Sequence, residues 1–284
     1  LTAAFRGEGF ISAQYGGLLA LSAGAYRLLS PDLHRPTMIL LLTALFGSLS
    51  VLFTVLAVRL RWAKGAALTA GWIMALYPEA LLLGASQMRE PFLLAGFAAA
   101  FWGVLNWQER RRLSVLTMLL SLLGMALISW RMGLVIAGML VVWFGLDVLA
   151  ESARPFWRRL GLAGGVLGFL LLLAVSWNWL DEAATWDAIL TWQGSGIIQW
   201  IINKVGVNWR ILLVSAYGLA QPVLPATIAD PAAAIWKTIN ILRAAGWYAL
   251  APILLYGLFT VWKTPAGRQR RLLLWLAAMV GFWI

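Results

Sequence analysis

The chain of 284 residues is 62% hydrophobic and only 12% charged, with a mean hydropathy of +0.83 and a formal net charge of +11. That balance excludes an ordinary water-soluble globular domain and predicts an integral membrane protein. Cysteine is absent, which excludes disulfides and thiol chemistry and leaves the compartment without a redox argument.

Apolar runs of about 18 to 25 residues recur along the chain, the length that a hydrocarbon core of about 30 Å asks of a helix. A run such as MILLLTALFGSLSVLFTVLAV at 38–58 does not alternate, so barrel strands are excluded. The expectation is an all-α, polytopic transmembrane helical bundle with external amphipathic or re-entrant helices. The N-terminal piece, external over about 1–36, reads as one more span or as a membrane-surface helix. Predicted spans follow at 37–58, 66–85, 91–107, 113–128, 132–149, 160–180 and 245–262, with a last apolar run from 272. GLAGGVLG at 161–168 interlaces two small-residue spacings, Gly161/Gly165 and Gly164/Gly168, which predict close helix packing. Between 181 and 244 lies a long segment that is acidic first (DEAATWD), then amphipathic (IIQWIINKVGVNWR), then broken by Pro222, Pro225 and Pro231. It is too short in apolar runs to span and is expected to be interfacial or re-entrant. Leu1 is not a methionine and the chain stops inside RLLLWLAAMVGFWI, so the 284 residues read as one transmembrane domain from a longer protein.

Basic residues in short connections set the orientation. Arg59, Arg61 and Lys64; Arg110, Arg111 and Arg112; Arg154, Arg158 and Arg159; and Lys263, Arg268, Arg270 and Arg271 fall on one side by alternation of the spans. They are 13 of the 22 Lys and Arg, and only Glu109, Asp147 and Glu151 oppose them there. This side is predicted to be cytoplasmic, so the basic balance is a topology signal and no nucleic-acid partner is expected. Tryptophans at span ends, among them Trp62, Trp107, Trp130 and Trp177, suit the headgroup layer.

The other side holds the candidate chemistry. Phosphate-loop, nucleophile-elbow and zinc-protease motifs are missing, and His34 is the single histidine, which excludes a histidine-based metal site or triad in this chain. Carboxylates and arginines remain. Glu79 follows Pro78 inside a predicted span, where an ionised carboxylate is costly unless paired or wet. It reads as cavity lining together with Tyr77 and Ser86, or as a structural acid capped by a neighbouring helix. Glu90 precedes Pro91 and is placed at the N-cap of the next span, as a helix cap or as a base. Arg89 beside it, Arg131 in the second external turn, and Lys204, Arg210, Lys237 and Arg243 in the long segment are cations where the charge rule expects few. An anionic ligand with phosphate at headgroup depth explains them, since arginine grips phosphate with two parallel hydrogen bonds. Snorkelling anchors are the plainer explanation.

Tyr77-Pro78, Ser86 and Arg89-Glu90-Pro91 followed by a fresh apolar span resemble the polytopic glycosyltransferases of the GT-C type, with an echo in RGEGF near the start. The resemblance covers roughly residues 70–150. It implies transfer of a sugar from a polyprenyl-phosphate donor, a lipid-linked partner, on the extracytoplasmic face of a bacterial inner membrane. It further implies that Glu8 and Glu90 are the two acids of the site, with Arg89, Arg131, Lys204 and Arg210 on the phosphate. A divalent cation is compatible with the pattern, while oligomeric state, sugar and acceptor stay open. O-antigen-type polysaccharide polymerases or ligases share much of the pattern, and a transporter of a lipid-linked anion is a third reading.

Overall fold

A computed structural model describes residues 16–33, 35–143 and 233–263, together with scattered positions of 155–177 and Lys204, Ile228 and Leu274. Every element among the described residues is a helix: α1 Gly16–Leu29, α2 Pro36–Arg59, α3 Lys64–Leu76, α4 Pro78–Gly84, α5 Glu90–Leu105, α6 Arg111–Ile128, α7 Trp130–Trp143 and α8 Ala234–Lys263. The all-α expectation holds. Three of them, α2, α6 and α8, are long and apolar enough to cross a membrane, and α3 with α4 makes a fourth if the bent pair is one span. This is a helical membrane protein. The chain divides into two compact units, residues 1–137 and 138–284, with the division inside α7.

In the first unit α5 is the central helix. Its sequence EPFLLAGFAAAFWGVL is apolar on all sides, the signature of a helix surrounded by others, and Phe92, Leu93, Ala95, Ala98, Ala99, Ala100, Val104 and Leu105 are buried. One flank lies on α2 and the other on α6. Lipid offers little hydrophobic drive between helices, so contact comes from close approach over small residues. Gly96 faces Met125 and the Ser121 carbonyl, and Gly103, seven residues on, faces Met118 and the Ser114 carbonyl. Across α2, Gly71 of α3 lies against Val55 and Gly47 against Gly84.

The span expected at 66–85 is broken. Pro78 has no N–H to continue the ladder, Tyr77 adopts an extended backbone (φ −63°, ψ 120°), and α4 leaves the line of α3 by 58°. Thr43 of α2 donates to both Leu40 O and Gly84 O, at 2.9 and 3.1 Å, and so ties the far end of α4 to the bundle.

α1 opens the described part of the chain, and its Gly17 packs on the Leu127 and Ile128 carbonyls at the C-terminal end of α6.

The second unit contains the end of α7, from Gly138 onward, and all of α8. Gly161 and Gly165 are buried, and Gly168 meets Val141 and Val142 of α7, so this small-residue stretch packs inside the chain. α8 begins at Ala234, well before the expected start at 245, and runs for 30 residues through Pro252. Hydropathy marks where lipid ends, whereas a helix continues as long as its backbone bonds do. At about 1.5 Å per residue α8 is about 45 Å long and exceeds the hydrocarbon core, so it projects or tilts.

Candidate functional site

Two hydrogen bonds define the ends of the first unit. Arg61 Nη2 donates to Leu105 O at 2.9 Å, which joins the 59–64 connection to the end of α5. Gln87 Nε2 donates to Pro36 O at 3.1 Å, which joins the α4–α5 connection to the start of α2. Arg59, Arg61, Lys64 and Arg110 to Arg112 therefore gather at one end, and Ser86 to Glu90 lie at the other. Because α6 runs antiparallel to α5, the backbone of Arg131, in the first turn of α7, belongs to that second end too.

At the second end α5 starts at Glu90, with Arg89 as its N-cap and Pro91 just inside the helix. The sequence expectation put Glu90 at the cap, and the shift by one residue is the ordinary latitude of a helix boundary. Its consequence is chemical. Arg89, as the cap, makes no side-chain hydrogen bond to the first turn, and Glu90 stands one residue inside the helix. Its Oε1 accepts from Arg89 Nε at 3.3 Å, while Oε2 is buried and takes no hydrogen bond among the described residues. A buried carboxylate oxygen without a donor is costly, and structures keep few of them without a reason.

Tyr77 is the hinge residue between α3 and α4, and its carbonyl accepts the first bond of α4, from Leu81 N at 3.1 Å. Glu79 stands half-buried in the first turn of α4. Ser86 donates to Leu83 O at 2.8 Å, closing the end of its own helix. Between α2, α3, α4 and α5 lies a cavity of about 730 Å³, walled by Leu40, Ala44, Met74, Ala80, Leu83 and Pro91 among others. Its wall includes Ala80, Ala85 and Pro91, the chain neighbours of Glu79, Ser86 and Glu90, whereas Tyr77, Glu79, Ser86, Arg89 and Glu90 are outside it. The cavity is apolar, and its volume is in the range of about 300–1,000 Å³ common to ligand sites.

Of the remaining candidates, Glu8 and Arg210 lie outside the described residues, as does the Arg131 side chain. Lys204 is an exposed helical residue of the second unit. Thus the structure brings together Arg89 and Glu90, with the Arg131 backbone at the same end. Among the described residues no three His, Cys, Asp or Glu group as metal ligands would. Sequence reasoning missed Thr43 and Gln87, which fasten α4 and the α4–α5 connection; a hydroxyl in the middle of an apolar span was the available signal for Thr43. Replacing Thr43 by Val, which keeps the shape and removes both bonds, should cost about 1 kcal/mol and free the end of α4. Faster hydrogen exchange at the amides of Ala80 to Ala85, with the rest of α2 unchanged, is the expected readout.

No family model, curated protein or solved structure matches the chain.

Proposed function

We propose that the protein is a membrane glycosyltransferase of GT-C character, moving a sugar from a polyprenyl-phosphate donor to an acceptor hydroxyl at the end of the bundle that bears Arg89 and Glu90. The observation that carries the reading is Glu90 Oε2, a buried carboxylate oxygen that takes no hydrogen bond among the described residues, held beside an arginine at the mouth of the α5 helix. Such a transfer needs a carboxylate to take the acceptor proton and a cation to stabilise the departing phosphate. Glu90 supplies the first and Arg89 the second, and the apolar cavity next to Pro91 suits a hydrocarbon tail. Glu8 would be a second acid, and Arg131, Lys204 and Arg210 further phosphate ligands. The basic end faces the cytoplasm on this reading, and the chemistry takes place on the opposite face of a bacterial inner membrane.

Orientation has a direct test, because the chain has no cysteine of its own. Arg111→Cys should resist a membrane-impermeant maleimide in intact cells, and Met88→Cys, 47% exposed at the other end, should be labelled. Labelling in the reverse order overturns the assignment. For the activity, purified protein in liposomes is given a panel of polyprenyl-phosphate monosaccharides together with hydroxyl-bearing glycolipid acceptors, and release of polyprenyl phosphate with glycosylation of the acceptor is followed. Arg89→Ala should weaken donor binding about tenfold or more, since a charged hydrogen bond is worth about 1.5–3 kcal/mol. Arg89→Lys should recover only part of it.

A second reading, a transporter of a lipid-linked anion, draws on the break at Pro78, because discontinuous helices commonly build transporter sites. Movement of intact donor across the liposome membrane without sugar release would favour it.

A further inference from the structure

The opposite end of the first unit carries an arrangement that the proposed chemistry does not use. Arg59, Arg61 and Lys64 from one connection, and Arg110, Arg111 and Arg112 from another, are all exposed, and Glu109 is the one acid in these two connections. Orientation in the membrane calls for cations here, but not for their organisation. Arg61 reaches across to the Leu105 carbonyl and locks the two connections together. Arg111 stacks its guanidinium over Trp107, 5.2 Å from the ring centre.

Local helix electrostatics run against this placement. α3 and α6 both start at this end, and helix N-termini favour carboxylates and side-chain acceptors. Neither has an acidic residue in its first turn or a side-chain cap. Instead Lys64 is the first residue of α3, Arg110 is the N-cap of α6, and Arg111 and Arg112 follow in its first turn. Two positive helix ends and six cations thus repel one another, and among the described residues of these two connections only Glu109 offsets them. The same junction holds two buried polar atoms with no hydrogen bond among the described residues, Asn106 Nδ2 and Ser114 Oγ, in residues 2% and 0% exposed.

We propose that this junction binds the head group of an anionic phospholipid from the adjoining leaflet. Charge identifies the ligand as an anion, and the flanks identify it as a lipid. Leu68 of α3 and Leu113 and Leu116 of α6 are exposed directly beyond the cations, and Trp62 lies among them. An acyl chain has an apolar wall to follow from there, whereas a nucleic acid would meet the charges alone. Six cations match the cluster of four to eight basic residues next to a span that holds acidic lipid.

Native mass spectrometry of the full chain in neutral detergent tests this, with phosphatidylglycerol and phosphatidylcholine of identical acyl chains as probes. The wild type should retain phosphatidylglycerol about tenfold or more over phosphatidylcholine. Each lost cation should reduce the preference about fivefold, so Arg61→Gln with Arg111→Gln should abolish it. Arg89→Gln, at the other end, should leave it unchanged, which separates this site from the proposed catalytic one. Should the double variant fail to fold, Arg112→Gln alone must still lose about fivefold. Equal retention of the two lipids, an unchanged preference in the variants, or tight capture of a short oligonucleotide without lipid preference would overturn the proposal.

Discussion

Glu90→Gln is expected to reduce sugar release by about 10²- to 10⁴-fold while the protein still inserts, folds and binds donor, the range associated with loss of a general base. The amide keeps the size of the side chain and one oxygen for Arg89, so the pairing geometry at the start of α5 survives in part. What it loses is the capacity to take a proton. A capping role predicts a different result, because a cap acts through stability, typically by about 1 kcal/mol. In the structure the N-cap is Arg89, which makes no side-chain bond, and Glu90 is the acidic residue of the first turn. The experiment therefore compares initial rates with thermal stability in the same detergent. More than about a tenth of wild-type activity would remove Glu90 from the chemistry. A melting temperature that falls in step with the rate would instead make it structural.

A large stability effect is expected at Gly133. Ser129 alone separates α6 from α7, and the two helices leave this corner in such close contact that a Cβ on Gly133 would stand 2.9 Å from both Cα and Cβ of Ala126 and 3.0 Å from its nitrogen. Backbone cannot step aside as a side-chain tip can. Gly133→Val should therefore cost at least the 1–3 kcal/mol typical of overpacking, lower the melting temperature, and displace the first turn of α7, which includes Arg131. Gly124→Ala on α6 is the matched control. No atom lies within 4 Å of its would-be Cβ, and removing a mid-helix glycine should be neutral or stabilising by about 0.5–1 kcal/mol. Tryptophan fluorescence during heating reports both variants. Equal melting temperatures for Gly133→Val and the wild type would show that the corner opens without cost.

The two predictions rest on different kinds of observation. Gly133 is a matter of space, set by how closely the backbones of α6 and α7 approach. Glu90 is a matter of chemistry, and the geometry supplies only the means: a donor-free oxygen, an adjacent cation and a neighbouring apolar cavity. The phospholipid site at the other end is independent of both, so its failure would leave the catalytic reading standing.

Much of this protein was legible in its residues because membranes impose one strong rule: backbone polar groups in lipid must be satisfied within the segment. Uninterrupted apolar runs therefore meant helices, and the runs at 37–58 and 113–128 coincide with α2 and α6 to within two residues. Pro78 and Pro91 likewise acted locally, through a missing N–H and a fixed φ, and the break at Tyr77 and the start of α5 follow from them. Candidate chemistry could be narrowed to a few charges, Glu8, Glu79, Glu90, Arg89, Arg131, Lys204 and Arg210, because charges at the edge of a lipid-soluble run are rare enough to stand out. Tertiary structure decided what depends on neighbours distant in sequence. Composition could not tell that Gln87 holds the start of α2, that Thr43 restrains α4, or that Arg61 closes the basic end on the Leu105 carbonyl. Nor could it tell that Gly17 of α1 packs on the end of α6, or that α8 continues past its apolar stretch, because hydropathy measures affinity for lipid and not the extent of a hydrogen-bonded helix. The free oxygen of Glu90 is of the same kind: the residue is local, but its burial and its want of a donor are properties of the packed bundle.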